Sequence, residues 1–312
     1  MTGRILLIAM GLALMARPAA AQQTAVAPGA APAVAPLAAS APARSILFVG
    51  NSFTYGALSP VRRYRAETVT DLNQSGIGGV PALFKRFTDQ AGLAYAVSLE
   101  TASGMGLDYH YTQKRALIDK AWDVVILQDF STLDRAKPGD SGLHRRFAAL
   151  LAKMIVARNP AVDIELSATW SRADLVYKPG SPWSGQPIDR MAADLRRAAD
   201  QARAASRQIR GVIPIGEAWS RAIVAGLADP NPYDGIGFGQ IDLWSYDQYH
   251  ASAYGYYLEA LLVFGRVTGL DPRSLGVGEL AADDLGFAPG VTLALQRIAA
   301  DQLASETALS RR

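Results

Sequence analysis

The sequence predicts an α/β domain, a parallel sheet covered by helices on both faces, and three observations predict it. Continuous apolar runs such as Ile46-Leu47-Phe48-Val49 and Val124-Val125-Ile126-Leu127 read as buried central strands. Strand-like and helix-like segments alternate about five times, the pattern of a sheet with helical crossovers. Several strand-like runs end in Gly, Asn, Gln or Ser, and the strand ends of an open α/β sheet are where ligands collect.

Taken in order, the first strand is Ser45–Val49, ending in a Gly50-Asn51-Ser52 turn. Residues 55–79 mix Gly, Pro, Asn and charge, and are expected to be a short helical start followed by a long loop. Leu83, Phe84 and Phe87 recur at helical spacing between Val80 and Ala91, with Gly92 as the stop. Tyr95–Thr101 alternates as a strand and runs into Ala-Ser-Gly-Met-Gly. A short helix is expected over 114–121, a central strand over 123–128 and a helix over 144–158 that ends at Asn159-Pro160. Next come a strand over 162–169, an Ala/Arg-rich helix over 188–207, a strand over 212–215 and a helix over 217–227. A Gly/Pro/Asp-rich loop covers 229–247, an apolar helix 252–268 and a final helix 291–304.

Nothing in 44–312 breaks the composition, so this stretch reads as one domain. Before it, Arg4, the apolar run Ile5–Met15 and Ala19-Ala20-Ala21 read as a signal peptide over 1–21. The run is too short to span a bilayer comfortably. Residues 22–43, almost all Ala, Pro, Val, Gln and Ser, read as a disordered tether. The mature chain is expected to be periplasmic or extracellular, with no membrane span. The 312 residues contain no cysteine, which excludes disulfides, thiolate metal sites and cysteine nucleophiles. A net charge of +3 gives no case for a nucleic-acid partner. Arginines 196, 197, 203 and 207 are expected on a solvated helix face.

The chain has three histidines, so the search for a base is short. A serine hydroxyl becomes a useful nucleophile when an imidazole takes its proton, and the imidazole needs a carboxylate to fix its tautomer. His110 and His144 have no carboxylate at the right offset, whereas His250 follows Asp247 by three residues. Ser52, just past the first strand, is the candidate nucleophile; its bland role would be a helix N-cap. Asp242 remains an alternative orienter. The Gly104 backbone N–H and the Gln128 side-chain amide end two further strands and could receive an oxyanion. Trp170 and Trp183, with Tyr177, lie on one long loop, and Trp244 and Tyr246 on another. They could stack on sugar rings or anchor their loops in the core.

Gly50-Asn51-Ser52-Phe53-Thr54 resembles the first block of the SGNH (GDSL-type) esterase/lipase superfamily, and Asp247-Gln248-Tyr249-His250 resembles its closing Asp-x-x-His block. Ser103-Gly104-Met105-Gly106 and Leu127-Gln128-Asp129 stand where its glycine and Gly-x-Asn-Asp blocks belong. Asn51 replaces the commoner Asp, Gln128 stands for the namesake asparagine, and Ala251 for a frequent proline. A branch of secreted members linked to carbohydrate substrates is similar at these positions. The resemblance covers 45–270. It implies a three-layer α/β/α sandwich with a flavodoxin-like sheet, and an ester hydrolase with Ser52, Asp247 and His250 as its triad. The Ser52 N–H, Gly104 N–H and Gln128 amide would form the oxyanion hole, with no metal or organic cofactor. The expected substrate is a small-molecule or polysaccharide ester, most simply an acetylated carbohydrate. A lipase or thioesterase for longer chains, and a non-catalytic exported binding protein on the same scaffold, stay open.

Overall fold

A computed structural model of the chain describes residues 42–309. The expected signal peptide, and the tether apart from Pro42 and Ala43, lie outside the described residues. The elements run β1 (Arg44–Gly50), β2 (Thr70–Asp71), α1 (Gly79–Gln90), β3 (Tyr95–Thr101), α2 (Leu107–Gln113), α3 (Arg115–Ile118), β4 (Val124–Leu127) and α4 (Gly142–Val156). They continue β5 (Asp163–Ala168), α5 (Ala173–Val176), α6 (Arg190–Ala205), β6 (Gly211–Pro214), α7 (Ile215–Val224), α8 (Ala253–Thr268), α9 (Leu280–Asp284) and α10 (Pro289–Leu309).

Six parallel strands form one sheet in the order β2-β3-β1-β4-β5-β6. Successive side chains on a strand point to opposite faces, and the central strands are apolar on both. Ile46, Phe48, Val124 and Ile126 face a core shared with α1, α7, α8 and α10. Leu47, Val49, Val125 and Leu127 face a second core shared with α2, α4 and α6. The result is the α/β/α sandwich expected. Leaving aside the two-residue β2, the strand order is flavodoxin-like. The chain leaves β1 for β3 on one side, then crosses to β4 on the other. The β1/β4 edge is therefore the switch point, where the crevice for a ligand opens at the carboxyl ends of the strands.

Two segments differ from expectation. Helix formation begins at Leu107, not near 114, and comes in two short pieces. The inward residues of α2 are Leu107 and His110, and a helix that buries a histidine shows little hydrophobic periodicity. Residues 55–79 hold turns, two 3₁₀ segments and the short β2, which pairs with β3. Arg196 also departs from a solvated face: its guanidinium contacts Glu217 at 2.8 Å and Glu306 at 2.6 Å, joining α6 to α7 and α10. No helix among the described residues is long and apolar enough to cross a membrane.

Candidate active site

Gly50 ends β1 in register with Thr101 of β3, while Val49 pairs with Leu127 of β4. The turn that follows is built by side chains. Asn51 Oδ1 accepts from the Phe53 N–H at 3.1 Å, and Gln128 Oε1 accepts from the Asn51 N–H at 2.8 Å and from Thr54 Oγ1 at 3.1 Å. Asn51 Nδ2 donates to the carbonyls of Met105 (2.9 Å) and Asp129 (3.0 Å). Only an amide can make this set, since an aspartate would place acceptors against two carbonyl oxygens. Gly50 is required by space: a Cβ there would lie 2.2 Å from Thr54 Oγ1 and 2.7 Å from Gln128 Oε1. Ser52 caps no helix, and its Oγ and backbone N–H have no hydrogen-bond partner among the described residues.

Gln128 departs from the role expected of it. Its oxygen is held by the Asn51 N–H and Thr54, its Nε2 donates to the Asp129 carbonyl, and the residue is buried. Because the Asn51 backbone N–H fixes which end of the amide is oxygen, Nε2 is the end turned onto the Asp129 carbonyl, and these contacts of Gln128 stabilise the Ser52 turn. Gly104 sits in the β3–α2 loop at φ +64°, and its N–H has no acceptor among the described residues. That leaves the Ser52 and Gly104 N–H groups as the available donors.

The candidate base, His250, stands in the loop before α8. His250 Nδ1 lies 2.6 Å from Asp247 Oδ2, while Asp247 Oδ1 accepts from the N–H groups of Tyr249 (3.1 Å) and His250 (3.0 Å). Burial alone would raise the Asp247 carboxyl, but the His250 side chain and these backbone donors reverse it and hold it below its ordinary value. Asp242, the alternative orienter, turns away and accepts from the Trp244 N–H at 2.8 Å. Burial raises its pKa to about 6 despite that bond.

The two halves of the site are tied at several points. Tyr256 donates to the Ser52 carbonyl at 3.1 Å, and Ser245 Oγ to the Leu58 carbonyl at 2.9 Å. The Phe53 ring meets the His250 ring edge-on at 5.8 Å. No hydrogen bond joins Ser52 Oγ to His250 Nε2, and catalytic contacts are often loose before substrate arrives.

All three histidines are paired to carboxylates, which sequence spacing did not reveal for two of them. His110 Nδ1 contacts Glu100, and His144 Nδ1 lies 2.8 Å from Asp129 Oδ2, partners brought from other elements by the fold. What separates the pairs is access. The His110 and His144 side chains are 0 % and 3 % exposed with Nε2 sealed and unpartnered, whereas His250 keeps 13 % exposure.

Of the two roles left open for Trp170, Trp183 and Trp244, stacking on a sugar or anchoring their loops, the burial of all three fits the anchor. Trp170 stacks between Phe53 (4.1 Å) and Trp219 (4.8 Å) and donates to the Tyr249 carbonyl, so it links the Ser52 turn to the His250 loop. Trp183 donates to Asp194 and Trp244 to the Ser171 carbonyl. An indole whose N–H is paired inside the core anchors its loop. Tyr246 and Tyr177, the two tyrosines named with them, stay exposed, as do Tyr233 and Phe238 of the 229–247 loop. Among the described residues, no group of three or more His, Asp or Glu is placed to hold a metal ion.

A DUF4886 family protein from Bacteroides uniformis aligns with a TM-score of 0.59 at 18 % identity, over 84 % of this chain and 95 % of that one. The two chains share one fold. Looser likenesses are to a protein described as a GDSL-like lipase from Parabacteroides merdae (TM-score 0.49, 18 % identity, 73 % of this chain and 96 % of that one) and to the Clostridium thermocellum family 3 carbohydrate esterase (0.44, 17 %, 71 % and 94 %). No family model matches the sequence, and no curated protein does.

Proposed function

We propose that this chain is an exported serine esterase of the SGNH (GDSL-type) superfamily, removing small acyl groups such as acetate from a carbohydrate. The observation that carries this reading is the open histidine. Of three His–carboxylate pairs, His250–Asp247 alone keeps access to solvent, and it packs against Phe53, the neighbour of Ser52, at the switch point of the sheet.

Ser52 Oγ attacks the ester carbonyl carbon while His250 Nε2 takes the hydroxyl proton and Asp247 stabilises the resulting imidazolium. The carbonyl oxygen, now anionic, is received by the N–H groups of Ser52 and Gly104, each worth about 3 kcal/mol of transition-state stabilisation. His250 then gives its proton to the departing alcohol. A water molecule repeats the sequence on the acyl-enzyme, releasing the acid and restoring Ser52.

Export rests on the basic and apolar pattern of residues 4–21. The carbohydrate preference rests on Tyr246, 77 % exposed and adjacent to Asp247, as an aromatic face for a sugar ring. Turnover of p-nitrophenyl acetate by the wild type and by Ser52→Ala is the test: the variant should fall to the buffer rate, and equal rates would remove the nucleophile. Acetate should be turned over faster than octanoate. The reverse would favour a lipase or thioesterase, and no turnover of either would favour a binding protein.

A further inference from the structure

Asp129 and His144 have no part in the chemistry proposed above, yet they are buried directly beneath it. Asp129 follows β4 at the switch point. Its Oδ1 accepts from the N–H groups of Leu107 (2.9 Å) and Phe130 (2.7 Å), and Oδ2 faces His144 Nδ1 of α4. Its carbonyl accepts from Asn51 Nδ2, which also donates to the Met105 carbonyl. Leu107 and Met105 flank the loop that carries Gly104, and Asn51 precedes Ser52. The separation of the two oxyanion donors is thus set through Asn51 and the Asp129 carboxylate. Gly106 fits against this carboxylate so closely that a Cβ would lie 2.7 Å from Asp129 Oδ1.

A buried carboxylate keeps one orientation only while both oxygens are satisfied. His144 is the partner of the second oxygen, and because a carboxylate oxygen only accepts, Nδ1 is the donor of this contact. The pair is not a second reaction centre. His144 and Ser167 line a cavity of about 10 Å³, too small for any ester.

We propose that Asp129 and His144 are positioning residues that hold the Gly104 loop at the right distance from the Ser52 N–H, a role that rests on the esterase reading above. A displaced donor weakens the transition state without changing how the ground-state ester is held, so the signature is in kcat and not KM. A misplacement near 1 Å costs about a hundredfold.

The test compares His144→Leu, His144→Asn and Gly106→Ala with wild type on p-nitrophenyl acetate. Rates are expressed per Ser52 that reacts with a fluorophosphonate, so unfolded protein is not counted. His144→Leu and Gly106→Ala should lose about a hundredfold in kcat with KM within about twofold. His144→Asn, which returns an N–H near the Nδ1 position, should recover at least about tenfold of that loss. The proposal is overturned if His144→Leu keeps kcat within about threefold of wild type, or if His144→Asn is as impaired as His144→Leu. A wild type whose turnover equals that of Ser52→Ala overturns the esterase reading itself, and this inference with it.

Discussion

Replacing Asp247 by asparagine isolates the orienting charge from the fold. Asp247 does two jobs with two oxygens. Oδ1 accepts from the backbone of Tyr249 and His250, and Oδ2 pairs with His250 Nδ1 at 2.6 Å. In Asp247→Asn the amide oxygen can keep the two backbone donors, so the loop survives. The amide nitrogen then faces Nδ1 and, being a donor, holds the proton of the neutral ring on Nε2. His250 in that tautomer cannot accept the Ser52 proton, and the imidazolium loses its counter-charge. For a serine hydrolase this exchange costs about 10⁴-fold, or roughly 5.5 kcal/mol. The assay is kcat/KM on p-nitrophenyl acetate with Ser52→Ala as background, alongside a melting curve. Because Asp247 is held below the usual carboxylate range, it is charged at an assay pH of about 8, so the comparison there is of a carboxylate with a neutral amide. An Asp247→Asn protein that melts like wild type and keeps more than about a tenth of its activity would refute the reasoning.

Two further predictions concern stability. Gly50→Ala places a methyl 2.2 Å from Thr54 Oγ1 in a turn already filled by Gln128, and should lower stability by about 1–3 kcal/mol in urea melts. Glu259 of α8 is wholly buried with Oε2 unpartnered, and burial raises its pKa well above the ordinary value. The folded state therefore holds a proton that the unfolded chain releases above its own pKa near 4.3. This contribution is fully present below that pKa and is lost as pH rises toward the folded value. Glu259→Gln should remove it, so the variant gains on wild type with rising pH, by at most about 1.4 kcal/mol per pH unit, in melts taken from pH 4 upward.

Much of the fold was legible because the central strands are apolar on both faces and most of the larger helices carry periodic apolar residues. The flavodoxin-like order came from the resemblance, and the sheet has it. What the sequence hid were contacts made by distant residues. Asp129 and His144 are fifteen apart and Glu100 and His110 ten, so spacing gave no sign of either pair. Gln128 stands at the right strand end for an oxyanion donor, but Asn51 and Thr54 hold its oxygen and its Nε2 is turned onto the Asp129 carbonyl, contacts that only the three-dimensional turn displays. For the three tryptophans, an aromatic loop residue can face water or core with the same sequence around it. Here each indole N–H found an acceptor inside.

The central claim is that Ser52 is the reacting nucleophile, activated by His250. Its most direct measurement is mass-spectrometric mapping of the adduct left by a fluorophosphonate on the folded protein. A single phosphonyl group on the peptide containing Ser52, abolished in Ser52→Ala and strongly slowed in His250→Ala, is the predicted result. Modification elsewhere, or labelling of Ser52 at the same rate without His250, would contradict it.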